Sequence, residues 1–154
     1  MSNPSKAKGT RYESQLVGVF NDWVGLKVAE RIVLHGNHDH GDLRLSVDDL
    51  IVCVEVKWRK SYPSEADMLD FRAQTVAETD NSGADCGILV VNHYNQNVMR
   101  SEVWMTGDTW LMLNGYDGSM SVGKYDIHDW LCMTMLDFCW TLFGAPAWGM
   151  EELN

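Results

Sequence analysis

Glu55 and Lys57 stand two residues apart inside the apolar run VCVEVKW, residues 52–58, whose composition is typical of a β-strand. Side chains alternate between the two faces of a strand, so both charges share one face with Ile51 and Cys53. Charged groups on so apolar a strand are costly unless they are paired, hydrogen-bonded or bound to a metal. The pair therefore marks either the surface of an edge strand or the centre of a site.

A second carboxylate is supplied by the preceding predicted strand, DLRLSV, residues 42–47. If Asp48 and Asp49 form a two-residue turn, residues pair when their numbers sum to 97, and Asp42 lies opposite Glu55. Like charges at cross-strand positions, with Cβ atoms about 4.5–5.5 Å apart, repel each other. A hard cation such as Mg²⁺ between them would remove that repulsion. The interpretation depends on the register, because a slip of one residue moves Asp42 to the other face.

Asp42, Glu55 and Lys57 together match the needs of metal-assisted phosphodiester hydrolysis. Two carboxylates can hold a cation that activates water and screens the phosphate, and the lysine can orient the water. Taken alone, this spacing is common by chance, and a surface hairpin would show it too.

The elements that must position these residues can be predicted from periodicity and turn signals. An apolar stripe at Leu16, Val19, Phe20, Trp23 and Val24 indicates a helix. The expected order is a helix over 12–28, a strand over 31–35, strands over 42–47 and 49–58, a helix over 63–81 and a buried strand over 86–93.

The C-terminal third is harder to assign. We expect a hairpin of strands 101–106 and 109–114 around Gly107-Asp108, then a glycine-rich turn region and a last helix over 126–144. Its apolar stripe is either core or a dimer interface, and comprises Trp130, Leu131, Met133, Met135, Leu136, Phe138 and Trp140. The whole pattern predicts a mixed α/β sheet.

Charge is distributed unevenly along the 154 residues, whose formal net charge is −10. Residues 1–62 hold 9 basic and 8 acidic residues, whereas residues 63–154 hold 3 and 14. A polyanion can therefore still bind the first half of the chain. An excess of acidic residues nevertheless usually indicates only an acidic, solvated surface.

Length and composition predict a flexible basic arm over residues 1–9 and a single domain over 10–154. No run of 18 apolar residues occurs and the N-terminus lacks an apolar segment, so we expect neither a membrane span nor a secretory signal. The four cysteines form no CxxC pair, which favours reduced, buried thiols in a cytoplasmic protein.

The motifs resemble those of a known superfamily. Gly41-Asp42, followed thirteen residues later by Glu55-Val56-Lys57, is similar to the PD-(D/E)xK, or restriction-endonuclease-like, nucleases. The segment KGTRYESQLV, residues 8–17, adds a narrower resemblance to archaeal and phage Holliday junction resolvases. In those, a basic residue and a glycine precede a first-helix glutamate, as Lys8-Gly9 precede Glu13 here.

That resemblance implies a restriction-endonuclease-like mixed β-sheet flanked by helices, with an αβββαβ core followed by a C-terminal hairpin and helix. It also implies that Glu13, Asp42 and Glu55 bind Mg²⁺ or Mn²⁺, that the Val56 carbonyl adds a ligand, and that Lys57 is the catalytic lysine. Gln74, on the following helix, is a looser candidate for the same site.

DNA contacts are expected from cations in the first half of the chain, because phosphates dominate nucleic-acid affinity. The candidates are Lys6, Lys8, Arg11, Arg44, Arg59 and Lys60, together with His40 and Gln74. His35, His38 and His40 with Asp39 could be a zinc site, but no paired Cys/His set completes it, and polar loop histidines are the simpler interpretation.

The resulting hypothesis is a Mg²⁺-dependent endodeoxyribonuclease of the Holliday junction resolvase type, acting in DNA recombination and repair. A four-way junction is two-fold symmetric, so a homodimer is expected. Cytoplasmic localisation follows, in the host if the chain is phage-encoded. The alternatives are a nuclease of the same fold acting on flaps, ends or damaged DNA, and a non-catalytic DNA-binding or assembly protein.

Overall fold

The computed structural model describes residues 4–32, 41–116 and 129–149, with side chains from Lys8 onward. Its helices are α1 (Pro4–Val24), α2 (Glu65–Ser82), α3 (Gly107–Leu113) and α4 (Met135–Phe143). Its strands are β1 (Ala29–Arg31), β2 (Leu43–Val47), β3 (Leu50–Arg59), β4 (Cys86–His93), β5 (Glu102–Thr106) and β6 (Trp130–Thr134). Within these ranges, no helix has the length and apolar character needed to cross a membrane.

The strands form one mixed six-stranded sheet in the order β1-β2-β3-β4-β5-β6. β3 and β4 are parallel and are joined by α2, whereas the other neighbouring pairs are antiparallel. The predicted mixed α/β sheet with an αβββαβ core is confirmed.

The two faces of the sheet are covered by different helices. On one face α1 and α4 meet in the main core, where Phe20 and Phe138 lie edge to face with ring centroids 6.2 Å apart. On the other face α2 packs Met68 and Phe71 against Leu89 of β4. The alternation along β3 follows this division, so that Glu55 faces the α2 side.

α2 lies where the sequence predicts a helix, although it runs from Glu65 to Ser82 rather than over 63–81. Ser64 is the N-cap, its side chain accepting a hydrogen bond from the Asp67 N–H, and Gly83 is the C-cap. Gly87 of β4 lets the helix lie close to the sheet, because a Cβ there would lie 1.9 Å from Thr79 Oγ1. This close packing fixes the inner face of α2 above β3.

Three predicted boundaries in the first half are wrong or shifted. The helix begins at Pro4, within the predicted flexible arm, and ends at Val24 rather than at residue 28. The Asn21 side chain accepts hydrogen bonds from the backbone N–H groups of Val28 and Ala29, which turns the chain into the sheet. β1 therefore starts at Ala29, two residues before the predicted strand.

The C-terminal antiparallel pair and helix are present, but their residues differ from the prediction. Residues 109–113 belong to α3, and the partner of β5 is β6. β6 and α4 divide the predicted last helix at Thr134, whose side chain caps α4 by accepting from the Asp137 N–H. Short apolar runs do not distinguish strand from helix, so only pairing with β5 decides this assignment.

The C-terminal apolar stripe, for which core and dimer interface were the two alternatives, packs on the core. Met135 and Phe138 are fully buried. The four cysteines, all in described positions, form no disulfide, and three of them are buried while Cys132 is exposed.

The β2–β3 turn carries backbone strain at one position. Asp48 has a φ of 50°, in the left-handed region that only glycine, asparagine and aspartate tolerate well. Asp48→Val should lower the free energy of unfolding by about 1–2 kcal/mol, and Asp48→Gly should not lower it. Urea unfolding monitored by tryptophan fluorescence measures both. The matched control is Asp49→Val in the same turn, and an equal loss in that variant would contradict a cause specific to Asp48.

Candidate active site

The sheet brings a carboxylate from each of two neighbouring strands to one place. Leu43 pairs with Val54, so the predicted register is confirmed. Asp42, immediately before β2, donates its backbone N–H to the Val54 carbonyl at 3.1 Å, and its Oδ2 accepts the Val56 N–H at 2.8 Å. The carboxyl group of Asp42 is therefore fixed beside the middle of β3.

Gly41 explains why this approach is possible. Its φ is +87°, and an added Cβ would lie 2.6 Å from the Sγ of Cys53. Only glycine fits, so the Gly-Asp pair is required by packing at the entrance to β2.

Glu55 and Lys57 form a buried ion pair on the α2 side of β3. Lys57 Nζ lies 2.8 Å from Glu55 Oε1, and the two side chains are 13% and 3% exposed. The other carboxylate oxygen, Glu55 Oε2, is buried and accepts no hydrogen bond from the described residues. Buried polar atoms in proteins are nearly always hydrogen-bonded, so a carboxylate oxygen without a donor at this depth calls for an explanation.

Asp42 is strongly affected by this environment. Burial, reinforced by the charge of Glu55, raises the pKa of Asp42 from 3.8 to about 7. The hydrogen bond from Val56 and the charge of Lys57 oppose the increase, while Glu13 adds to it. The pKa of Asp42 is therefore raised mainly by burial, and the repulsion from Glu55 that the sequence predicts adds to this effect.

α2 completes the site through two polar side chains. Lys57 Nζ donates to Gln74 Oε1 at 2.8 Å, and Gln74 Nε2 donates to Glu78 Oε1 at 2.8 Å. The Lys57 ammonium also lies 5.2 Å from the centre of the Phe71 ring. Because Glu78 accepts from the amide nitrogen, it orients the amide oxygen of Gln74 toward Lys57.

Sequence reasoning missed Glu78, although a signal was available. Gln74 and Glu78 are four residues apart and therefore lie on one helix face. Glu78 is only 2% exposed, which is rare for a glutamate and typical of a residue held by polar partners.

Glu13 lies close enough to raise the pKa of Asp42 but has another partner. Its Oε2 is 3.1 Å from Arg31 Nη2 and accepts from Arg31 Nε at 3.1 Å. Arg31 is 46% exposed, so the pair is open to solvent on one side.

The chemistry of these groups fits a divalent cation held by two carboxylates. Asp42 and Glu55 offer oxygen ligands that repel one another without a cation. The N–H and C=O of a strand residue point to the same side, so the Val56 carbonyl faces the Asp42 side of β3. Across the described ranges, no three His, Cys, Asp or Glu side chains are grouped as a complete metal site.

The predicted DNA-contacting residues lie in different parts of the structure. Arg59 lies near the site, with its guanidinium 4.9 Å from the Phe71 ring centre. Lys8 and Arg11 line a cavity beside Trp58, whereas Arg44 lines a different cavity with Lys27 and Glu30. Lys60 is exposed after β3, Lys6 lies in α1, and His40 with the other loop histidines 35 and 38 falls outside the described residues.

Comparisons with known proteins give one informative result. No family model and no curated protein matches the chain. A solved structure with a similar fold is Hjc, a Holliday junction resolvase from the archaeal hyperthermophile Archaeoglobus fulgidus. The TM-score is 0.48 at 16% sequence identity, and the match covers 85% of this chain and 99% of Hjc.

The pKa of Asp42 predicts an unusual pH dependence of stability. The pKa of Asp42 is higher in the folded state than in the unfolded state. The contribution of Asp42 to the free energy of unfolding is therefore complete below about pH 4 and is lost as the pH rises through 7. Asp42→Asn has no group that titrates here and should not show this loss. The free energy of unfolding of the variant minus that of wild type should therefore increase between pH 4.5 and pH 8, by an amount on the order of 1–4 kcal/mol. Urea unfolding in EDTA at several pH values measures it. Asp49→Asn is the control, and a constant difference between Asp42→Asn and wild type would contradict the assignment.

The Gln74–Glu78 contact predicts a coupling that a double-mutant cycle can measure. Glu78→Leu leaves the amide nitrogen of Gln74 without this acceptor and should lower the free energy of unfolding by about 1–3 kcal/mol. Gln74→Leu with Glu78→Leu should lose less than the sum of the single changes. Asp80→Asn, at an exposed carboxylate of the same helix, should change stability by no more than about 0.5 kcal/mol. Additive losses would show that the two side chains are not coupled.

Proposed function

We propose that this chain is a metal-dependent endodeoxyribonuclease. The observation that carries the proposal is the meeting of Asp42, Glu55 and Lys57 across the β2–β3 pair, with Val56 N–H on Asp42 and Lys57 on Glu55, both at 2.8 Å. Two acidic ligands and one fixed ammonium are the groups that hydrolysis of a phosphodiester requires.

Each residue has a defined role in this proposal. Asp42 and Glu55 would hold Mg²⁺ or Mn²⁺, with the Val56 carbonyl as a further ligand. Once bound, the cation supplies charge to screen the phosphate and to acidify a water. Lys57, held between Glu55 and Gln74, donates a hydrogen bond that orients the attacking water, and hydrolysis leaves a 5′-phosphate.

Glu13 joins the site when its ion pair with Arg31 opens. An exposed pair of this kind contributes only about 0–1 kcal/mol, so opening it requires little free energy. The charge of Glu13 already acts on Asp42, which supports its place as the third acidic residue.

Branched DNA is the proposed substrate, and a four-way junction is the first candidate. Lys8, Arg11, Arg59 and Lys60 provide exposed cations on the elements that hold Glu13 and Lys57. A junction has two-fold symmetry, so a homodimer would place two sites for paired cuts. We propose action in the cytoplasm, or in the host cytoplasm for a phage-encoded chain.

A cleavage assay on synthetic four-way junctions, flaps and linear duplex tests the proposal. Wild-type protein should cut the junction with Mg²⁺ or Mn²⁺ and not with EDTA. Lys57→Ala and Glu55→Gln should lower kcat by at least about 100-fold. Asp49→Asn, in the exposed turn, should cut at the wild-type rate. Mg²⁺ should also raise the Tm of wild type, but not of Glu55→Gln, because binding to the folded state stabilises it.

The outcomes separate the alternatives. Preferential cutting of flaps or ends would support another nuclease of the same fold. Absence of cleavage on all three DNAs with either metal would refute the enzyme and favour a non-catalytic DNA-binding protein. Full activity of Lys57→Ala would refute the site assignment.

A further inference from the structure

A cavity of about 220 Å³ lies between the N-terminal half of α1, the end of β3 and the chain that follows β4. Lys8, Arg11 and Gln15 line it from α1, Trp58 from β3, and Tyr94 and Asn95 from the chain after β4. None of its lining residues is acidic, although the chain has 22 acidic and 12 basic residues. In so acidic a chain, this composition favours an anionic ligand.

The wall of the cavity is fixed by hydrogen bonds before any ligand binds. Tyr94 N–H donates to the Arg59 carbonyl at 3.0 Å, and Gln96 N–H donates to the His93 carbonyl at 3.2 Å. The buried Asn92 side chain donates to the Gln96 carbonyl at 3.3 Å. A wall organised in this way loses little conformational entropy on binding.

Two aromatic rings lie beside the cations. Lys8 Nζ is 5.6 Å from the centre of the Trp58 ring, and the neighbouring Tyr94 is 57% exposed. An exposed ring next to Lys and Arg is the combination with which proteins bind unpaired nucleotides, because any base can stack on a ring while cations hold its phosphate. A cavity smaller than the roughly 300–1,000 Å³ of drug-sized sites suits one base rather than a base pair.

The cavity lies close to the proposed cut. Trp58 follows Lys57 directly in β3, on the opposite face, and it is three positions after Glu55, about 10 Å along a strand. Tyr12, another lining residue, directly precedes Glu13 in α1. The cavity and the candidate active site therefore share β3 and α1, although they lie on opposite faces of β3.

We propose that this cavity binds one unpaired nucleotide of branched DNA, with its base stacked on Tyr94 against the Trp58 wall and its phosphate on Lys8 and Arg11. The inference rests on the proposed function, since it takes the DNA at Glu55 as given. It gives the site a preference for DNA that can release a base from the helix at the branch.

Binding of junction DNA in EDTA tests the nucleotide site, because no metal-dependent cleavage occurs under these conditions. Fluorescence anisotropy compares a fully paired junction with one that has a single unpaired thymidine at the branch, or an abasic residue in its place. Tyr94→Ala should weaken binding of the thymidine junction about 5- to 100-fold and leave the other two within about 2-fold. Lys8→Ala should weaken binding to all three and reduce the log-log salt slope by about 1.

Matched controls come from exposed residues elsewhere. Tyr116→Ala removes another exposed tyrosine and Lys27→Ala another exposed lysine, and both should bind like wild type. Equal affinity of wild type for the thymidine and abasic junctions, or wild-type affinity in Tyr94→Ala, would overturn the inference. If wild type prefers the unpaired thymidine but cuts no DNA with metal, the proposed nuclease fails while the nucleotide site stands.

Discussion

The buried ion pair of Glu55 and Lys57 is the feature around which the rest of the structure is organised. Removing two charges from water is costly, and their mutual attraction compensates only when further hydrogen bonds satisfy both groups. Gln74 supplies such a bond to Lys57, and Glu78 in turn orients Gln74. Glu55 keeps one oxygen without a partner among the described residues, so the glutamate lacks the additional hydrogen bond that the lysine has. This asymmetry is the physical basis for proposing a cation at Glu55.

The position of Asp42 depends on the register of β2 against β3, because its carboxyl group accepts the Val56 N–H only in this register. The Asp48-Asp49 turn sets that register from one end, with Asp48 in the left-handed region. Gly41 permits it from the other end, where no Cβ can fit beside Cys53. The local backbone at both ends of β2 is thus matched to one pairing, and a slip of one residue would move Asp42 out of the site.

The sequence was sufficient to predict the fold and the candidate site wherever a local signal is compatible with only one structure. Alternation in residues 50–58 identified the face of Glu55, the numbers in the turn gave the register, and turn signals located α2 to within two residues at each end. It failed where tertiary partners decide. Residues 109–113 and 130–134 are short apolar runs that only pairing with β5 sorts into helix and strand. The partner of Glu13 is Arg31 of another element, and no local spacing encodes the distance between two elements.

The acidic character of the chain does not conflict with a DNA-binding site near Glu55. At physiological salt the screening length is about 8 Å, so an exposed charge acts mainly on its close neighbours. What matters is therefore the sign of the charges along the path of the DNA, and the lining of the cavity beside Trp58 contains cations and no carboxylates. None of the acidic residues of 63–154 is among the residues that line this cavity. In the proposed nuclease, the carboxylates of Asp42 and Glu55 would repel the phosphate unless a cation lay between them, so we expect DNA binding and metal binding to be coupled.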